Sequence, residues 1–451
     1  MEFFDFLNTA VTPYHTVDAL KSFFKANSFA EIELGANLEP AKAYFVCRGA
    51  SVIAFRTPKK WCDTSKFRIA LAHTDFPTLK ISPNPDGMNA GVCTLHTEVY
   101  GSPLFTSWLD RDLGYAGMLA YVDSADKSMT LKTKLFRGEK LFRIPQLAVH
   151  LNRGVNQDGL KVNPQIDFNA LWAGASESNV SENRKNLFVK ALEKELPAGA
   201  RLIDFDVQLF DAQPANRGGF NDEWIYSGRL DNLSSCHAIA EAMVSATSAE
   251  NDCLVACFFN NEEVGSNTRE GAAGNFLKSV LDSIASLQND NARDVILEGQ
   301  SPDRIHETFT SKGHARPLTS YLAESLALSI DMAHAEHPNH TEKHEPNHAP
   351  LLGKGIVLKT NAQKRYASDL MSSAQFRLLC EKAGIPLQVF IMRNDMPCGS
   401  TVGPTVSANL GIPTVDIGEP MLSMHSIREM MAASDHADMI KLVSVFFCDK
   451  N

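Results

Sequence analysis

Seven consecutive apolar residues, Cys253 to Phe259 (CLVACFF), run directly into Asn260, Asn261, Glu262 and Glu263. A run of this kind has no solvent face. It therefore predicts a strand covered on both sides, and that requires further elements above and below it. The chain supplies them. Residues 234–246 (SSCHAIAEAMVSA) and 271–284 (GAAGNFLKSVLDSI) are patterned as helices around this run. SLALSID (325–331), LQVFIMR (387–393) and TVDIG (414–418) are patterned as strands, and residues 369–384 and 436–447 as helices. Strands alternating with helices predict an α/β domain with a mainly parallel central sheet and helices on both faces. An N-terminal helix is expected over 17–27. AYFVCRG and SVIAFRT (43–57) form a strand pair, and RIALAHTD (68–75) is a further apolar strand ending in polar residues.

Residues from about 88 to 220 differ in texture. CTLHTEVY, GMLAYVD, LFRIPQLAVHL and LIDFDVQLF are short strand-like runs, interrupted by the polar stretch SESNVSENRKN (176–186). This predicts a β-rich unit, residues 88–220, inserted into the α/β domain of residues 1–87 and 221–451. The polar segment 288–308 is expected to be a surface loop. At 451 residues the chain is long enough for two such units. A net charge of −10 removes the basic footprint of a nucleic-acid binder. No apolar stretch reaches the length of a membrane span. Nine cysteines without a CxxC pair, behind an N-terminus that lacks a basic export region, point to a reducing compartment, the cytoplasm.

In sheets of this type, ligands collect at the carboxyl ends of the strands. Those ends carry His73 and Asp75, Glu262 and Glu263, Asp331 and, after TVDIGEPMLSM, His425. Asp231 in SGRLDN precedes a helix. Singly, each has a bland explanation as a cap, a turn residue or a solvated charge. Together, two histidines and several carboxylates make a mixed nitrogen and oxygen donor set suited to zinc, with manganese or cobalt as alternatives. Two adjacent carboxylates behind a buried strand are costly to desolvate unless a cation is present. Neighbouring side chains diverge, so one can bind metal while the other takes a proton from water. Asp75, two residues beyond His73, is placed to hold the imidazole tautomer.

The stretches AHTDFPTLKISPNP, SWLDRDL, IPQLAVHLNRGVN, SGRLDNLSSC, NNEEVGS, DMAHAEHPNHTEKHEPNHAPLL, RYASD, RNDMPCGSTVGP and TVDIGEPMLSMHSIREM occur in this order along nearly the whole chain. In them the sequence resembles the aspartyl aminopeptidase family of zinc metallopeptidases, in its bacterial form. The resemblance implies a zinc-peptidase domain interrupted by a β-rich dimerisation domain, and dimers assembling into a homododecamer of tetrahedral symmetry. It implies two zinc ions per subunit bridged by Asp231, with His73 and Asp331 completing one site and Glu263 and His425 the other. Glu262 becomes the general base. Lys359, Tyr366 and His334 become substrate contacts. His150 lies in the inserted unit and would reach a site across the domain boundary or from a neighbouring subunit, as a substrate contact or alternatively as a metal ligand. The loop with His337, His340, His344 and His348 is expected to make oligomer or channel contacts. Asn260, Asn261 and Asp369 depart from the common family pattern.

The expected substrates are peptides with a free N-terminus, cleaved after an acidic first residue by a two-zinc, bridging-water route. A zinc deacylase or carboxypeptidase-type hydrolase is the enzymatic rival. A non-catalytic peptide-binding shell protein on the same fold is the other. Cys398 has no base partner that would make it a nucleophile, and the Gly-rich run after Glu270 lacks the ending of a phosphate loop.

Overall fold

The computed structural model describes residues 1–62, 64–123, 125, 128–174, 186–287 and 317–448. The expected loop at 288–308 and all but the last residue of the polar stretch 176–186 lie outside them. The described strands form a nine-stranded, a six-stranded and a five-stranded sheet.

The nine-stranded sheet explains the apolar runs. At its centre Cys253–Phe259, Phe67–His73, Leu326–Ile330 and Thr414–Gly418 lie side by side, and all are parallel. The flanks are mixed. Ala43–Arg48 and Ser51–Arg56 form the expected antiparallel pair, and Ser51–Arg56 runs antiparallel to Cys253–Phe259. On the other side, Ile356–Lys359 is antiparallel to Thr414–Gly418 and parallel to Leu387–Phe390.

Alternate residues of one strand enter opposite cores, as the two-residue period requires. Leu254, Ala256 and Phe258 pack with Ala70 and Ala72 beneath Leu233, Ile239, Met439 and Leu442. These last belong to the helices Leu230–Ser245 and Ala433–Cys448. Cys253, Val255, Cys257 and Phe259 pack instead with Ile69 and Leu71 against Phe276, Val280, Tyr321 and Val406. These come from the helices Phe276–Ala285, Leu318–Ala323 and Val402–Leu410. The helix expected at 17–27 begins earlier, as Pro13–Ala26, with Thr12 capping it and proline at its first position.

The six-stranded sheet is antiparallel and is assembled from strands lying between Thr78 and Asp211. Leu79, Leu95, Tyr115, Phe142, Phe188 and Leu209 form its own core, with Tyr115 stacked on Phe142 at 4.6 Å between centroids. Its first strand, Thr78–Asn89, starts ten residues before the boundary expected from composition. One strand-like run is corrected. LFRIPQLAVHL makes only isolated bridges at Phe142 and Arg143, and then leaves Leu147, Val149 and Leu151 exposed at 61%, 48% and 74%. Leu141 to Ile144 alternate between solvent and the core, but from Pro145 to Leu151 every residue is exposed, so nothing covers a strand there.

The five-stranded sheet has very short strands, in the order Asn216–Gly218, Trp224–Ser227, Glu429–Ala432, Pro420–Leu422, Ala333–His334. It lies where the chain leaves the carboxyl ends of the large sheet.

Candidate metal centre and substrate cavity

Each candidate ligand is delivered by a different element. His73 is the last residue of Phe67–His73 and is buried. Glu262 and Glu263 lie in a single 3₁₀ turn, Glu262–Val264, bracketed by Asn261 at φ 66° and Gly265 at φ 93°. Asparagine tolerates the left-handed region and glycine enters it freely, so the strand reverses sharply at this point. Asp331 follows Leu326–Ile330 directly. Asp231 opens the helix Leu230–Ser245, where its backbone is still non-helical, at φ −80° and ψ 105°.

The side chains converge in two groups that share one carboxylate. His73 Nε2 lies 3.4 Å from Asp231 Oδ1 and 3.5 Å from Asp331 Oδ1. His425 Nε2 lies 3.4 Å from Asp231 Oδ2 and 3.4 Å from Glu263 Oε1. Glu262 stands off, with Oε2 4.0 Å from His73 Nε2. Donor atoms of His73, Asp231 and Glu263 all fall within 4.8 Å of one another.

This donor set fits a divalent cation. Among the described residues, Asp231 Oδ1 and Glu263 Oε1 are buried without a hydrogen-bond partner. Each imidazole is fixed from behind by a backbone carbonyl: His73 Nδ1 is 2.9 Å from the Asp75 oxygen, and His425 Nδ1 is 3.0 Å from the Ser102 oxygen. With Nδ1–H donating there, both Nε2 lone pairs face the carboxylates. Lone pairs and carboxylates that face one another across a few ångströms repel unless positive charge lies between them.

A proton on each imidazole would answer the same repulsion in place of a cation, and the electrostatics favour it. Burial works to raise Asp231, but the imidazoles of His425 and His73 outweigh it and hold the carboxyl well below its ordinary range. Burial works to lower His425, but Asp231 and Glu263 bring it up to about 10. Burial pushes Glu262 up to about 8, opposed by His73 and assisted by Asp331 and Asp75.

Asp75 acts differently from the expectation. It is the backbone carbonyl that makes the short contact to His73, with the carboxylate 3.6 Å away. The carboxylate instead accepts the backbone N–H groups of Glu262 and Glu263, each at 3.1 Å, and the Tyr100 hydroxyl at 2.7 Å. It therefore pins the turn carrying both glutamates.

A cavity of about 610 Å³ opens over this centre. It is lined by His73, Asp231, Glu262, Glu263, Asp331 and His425, and also by His334, Lys359 and Tyr366. Lys359 is 2% exposed, and its Nζ lies 3.9 Å from Asp331 Oδ2 and 5.5 Å from the centre of the Tyr366 ring. Burial, with Lys359 adding to it, lowers His334 to about 4, so its imidazole is neutral. Gly399, Ser400 and Thr401 form a further wall. The buried Asp416 ties that wall to the Tyr366 loop, taking the Thr401 hydroxyl on one oxygen and the Ala367 N–H, at 2.6 Å, on the other. His150 is exposed and does not line this cavity within the chain.

Known proteins match this chain over its whole length. The family described as "Aminopeptidase I zinc metalloprotease (M18)" matches residues 6–447. The chain belongs to this family. It is 35% identical to "Aspartyl aminopeptidase 4" of Saccharomyces cerevisiae, over 99% of this chain and 94% of that protein. It is also 35% identical to "Probable M18 family aminopeptidase 2" of Pseudomonas aeruginosa, over 98% and 96%. Among solved structures, one titled "Cryo-EM structure of the Ape4 and Nbr1 complex" superposes with a TM-score of 0.86 at 32% identity, covering 99% of this chain and 84% of that one. The S. cerevisiae mApe1 dodecamer gives 0.79 at 25%, over 99% and 95%. The protein is thus an M18 zinc metalloaminopeptidase, and its α/β fold is that of its family.

Several lining residues of this aminopeptidase carry no signal a single sequence could single out. Ser102, Arg365 and Met424 line the cavity from loops, and Thr405 from the helix Val402–Leu410, and their convergence is purely tertiary. Tyr100 meets the site only through Asp75 and Asn261. Asp369, by contrast, proves to be a helix cap: it takes the Ser372 N–H at 2.8 Å and completes a capping box with the Ser372 hydroxyl. In the His-rich loop, His344 accepts the His337 N–H at 3.0 Å and His348 pairs with Glu345 at 2.6 Å. No metal-binding group forms there among the described residues. All nine cysteines are unpaired, and among the described residues no helix is long and apolar enough to cross a membrane.

Proposed function

We propose that this M18 aminopeptidase removes acidic N-terminal residues from peptides by a two-zinc, bridging-water reaction. The observation that carries the reading is Asp231, whose two oxygens each lie 3.4 Å from a different histidine. One carboxylate thereby joins two donor sets, His73 with Asp331 and His425 with Glu263. Zinc held there would lower the pKa of a shared water and polarise the scissile carbonyl, and cobalt or manganese would substitute.

The protein's own groups do the rest. Glu262 belongs to neither donor set and faces the cavity. It takes the proton from the attacking water and returns it to the leaving amine. The substrate's free amino group is received among the carboxylates. His334, neutral and buried, and Tyr366 flank the scissile bond. Lys359 is a buried cation whose one ion pair among the described residues is long, so an acidic first side chain would complete its coordination. The name of the yeast relative, an aspartyl aminopeptidase, agrees with that preference.

We further infer that residues 88–220 act as a dimerisation insert and that dimers assemble into a tetrahedral dodecamer; the S. cerevisiae mApe1 relative is itself a dodecamer. Exposed Leu147, Val149 and Leu151 surround His150, and covering them would carry His150 toward a neighbouring subunit's cavity. Nine unpaired cysteines suit a cytoplasmic enzyme. The test is a panel of Asp-, Glu- and Leu-anilides beside an N-acetylated amino acid. Cleavage of the acidic anilides supports the reading. Turnover of the N-acetyl compound in their place would make the protein a deacylase, and no turnover with zinc restored would make it a binding shell.

A further inference from the structure

The site contains a second buried carboxylate that the reaction above does not use. Glu429 is 2% exposed and opens the strand Glu429–Ala432. In the five-stranded sheet this strand lies between Trp224–Ser227 and Pro420–Leu422. The first neighbour continues into Asp231 and the second into His425. The residue opening the middle strand therefore lies where the two ligand-bearing loops leave the sheet on either side of it.

Glu429 uses that place fully. Its Oε2 accepts the backbone N–H of Asp231 at 3.2 Å, and its Oε1 accepts the backbone N–H of His425 at 2.8 Å. Both loops need such a hold. His425 is at φ 66° and Arg229, two residues before Asp231, at φ 64°, both in the left-handed region that non-glycine residues avoid. The half-buried Arg229 lines the same small cavity as Glu429, Asp211 and Asp231, and supplies positive charge behind the carboxylate. Its own guanidinium is held through the Leu7 carbonyl at 3.0 Å.

We propose that Glu429 is a positioning residue for the zinc centre: it sets the separation of Asp231 from His425, and so the affinity of the donor set those two share with Glu263. The arrangement parallels Asp75, which holds the Glu262 and Glu263 amides in the same two-oxygen manner. The His425 and Glu263 side of the centre is then held by two buried carboxylates, Glu429 on the backbones of Asp231 and His425 and Asp75 on the turn that carries Glu262 and Glu263. The proposal rests on the two-donor-set reading given above.

The variant that tests it is Glu429→Gln, which keeps the volume and one acceptor oxygen but turns an N–H₂ toward one of the two amides. Zinc affinity is measured on metal-stripped protein by competition with a chromophoric chelator, beside thermal unfolding of the same metal-free samples. Outer residues that orient ligands typically change metal affinity by roughly 10–100-fold. The expected result is a loss of that size in one of the two binding steps, with the other step and the metal-free melting temperature close to the parent's. Glu429→Asp, too short to span both amides, shows the same one-step loss. His425→Ala is the control for the underlying reading. If His425→Ala loses one step but Glu429→Gln binds both ions as the parent does, Glu429 does not position the centre. If Glu429→Gln lowers the metal-free melting temperature and leaves both affinities intact, its role is structural and the proposal is overturned. If His425→Ala itself binds both ions normally, the two-donor-set reading fails first and the proposal with it.

Discussion

Replacing Lys359 by alanine should convert an acid-selective aminopeptidase into a weak, unselective one. The side chain is 2% exposed, and its nearest carboxylate, Asp331 Oδ2, is 3.9 Å away, beyond hydrogen-bonding range. An Asp or Glu side chain entering the cavity would meet a buried ammonium that has no competing short partner among the described residues. Hydrogen bonds to charged groups contribute about 1.5–3 kcal/mol when removed by mutation. At about 1.4 kcal/mol per factor of ten, Lys359→Ala should lower kcat/KM on Asp- and Glu-anilides by roughly 10–150-fold. Leu-anilide supplies the internal control, because any disturbance of Asp331 and the metal centre reaches all substrates equally. The quantity to measure is therefore the Asp-to-Leu ratio of kcat/KM, in the parent and in Lys359→Ala. A collapse of that ratio is expected. If both substrates fall together and the ratio stays constant, Lys359 supports Asp331 rather than selecting substrate, and the specificity argument is wrong.

Other outcomes follow from the same geometry. Glu262→Gln should lower kcat by about 10²–10⁴-fold, the usual range for a lost general base, while zinc content measured by mass spectrometry stays at the parent value. Stripping zinc should lower the melting temperature, and restoring it at about 100 times its Kd should return about 2.7 kcal/mol of stability per site filled, readable by calorimetry. His237 predicts an acid sensitivity remote from the metal. It is held between His436, at 3.0 Å, and the Met1 carbonyl, at 2.8 Å, and burial together with His436 lowers it to about 3. A base whose folded value is depressed supports the fold fully above its unfolded value of 6.5 and loses that support as pH falls toward 3. Metal-free His237→Gln should therefore lose less melting temperature between pH 7 and pH 5 than the metal-free parent; an identical slope would refute the assignment.

How much the sequence disclosed depended on whether a signal was local. Cys253–Phe259 and Phe67–His73 are unbroken apolar runs because helices cover both faces, and that pattern is readable in one dimension. The acids and histidines that follow them stand out for the same reason. Ile356–Lys359 is only four residues long and was visible only through its lysine. Val402–Leu410 contains Gly403 and Pro404, which carry no helical signal in the sequence, yet proline near a helix start is tolerated and Thr401 caps the helix. The run containing Leu147, Val149 and Leu151 misled in the opposite direction, because apolar residues exposed in one chain imitate a strand's inner face. Glu429 lay inside HSIREM in plain view, four residues after His425. Nothing local distinguishes it from a surface acid, and only the pairing of three short strands brings it under two ligand loops.

The central claim is that Asp231 makes one centre from two donor sets. Zinc per chain, measured on dialysed parent, His425→Ala and Asp231→Ala proteins, tests it most directly. The account predicts two ions in the parent, one in His425→Ala and neither held tightly in Asp231→Ala. A parent that saturates at one ion, or an Asp231→Ala protein that keeps the parent's full complement, would contradict it.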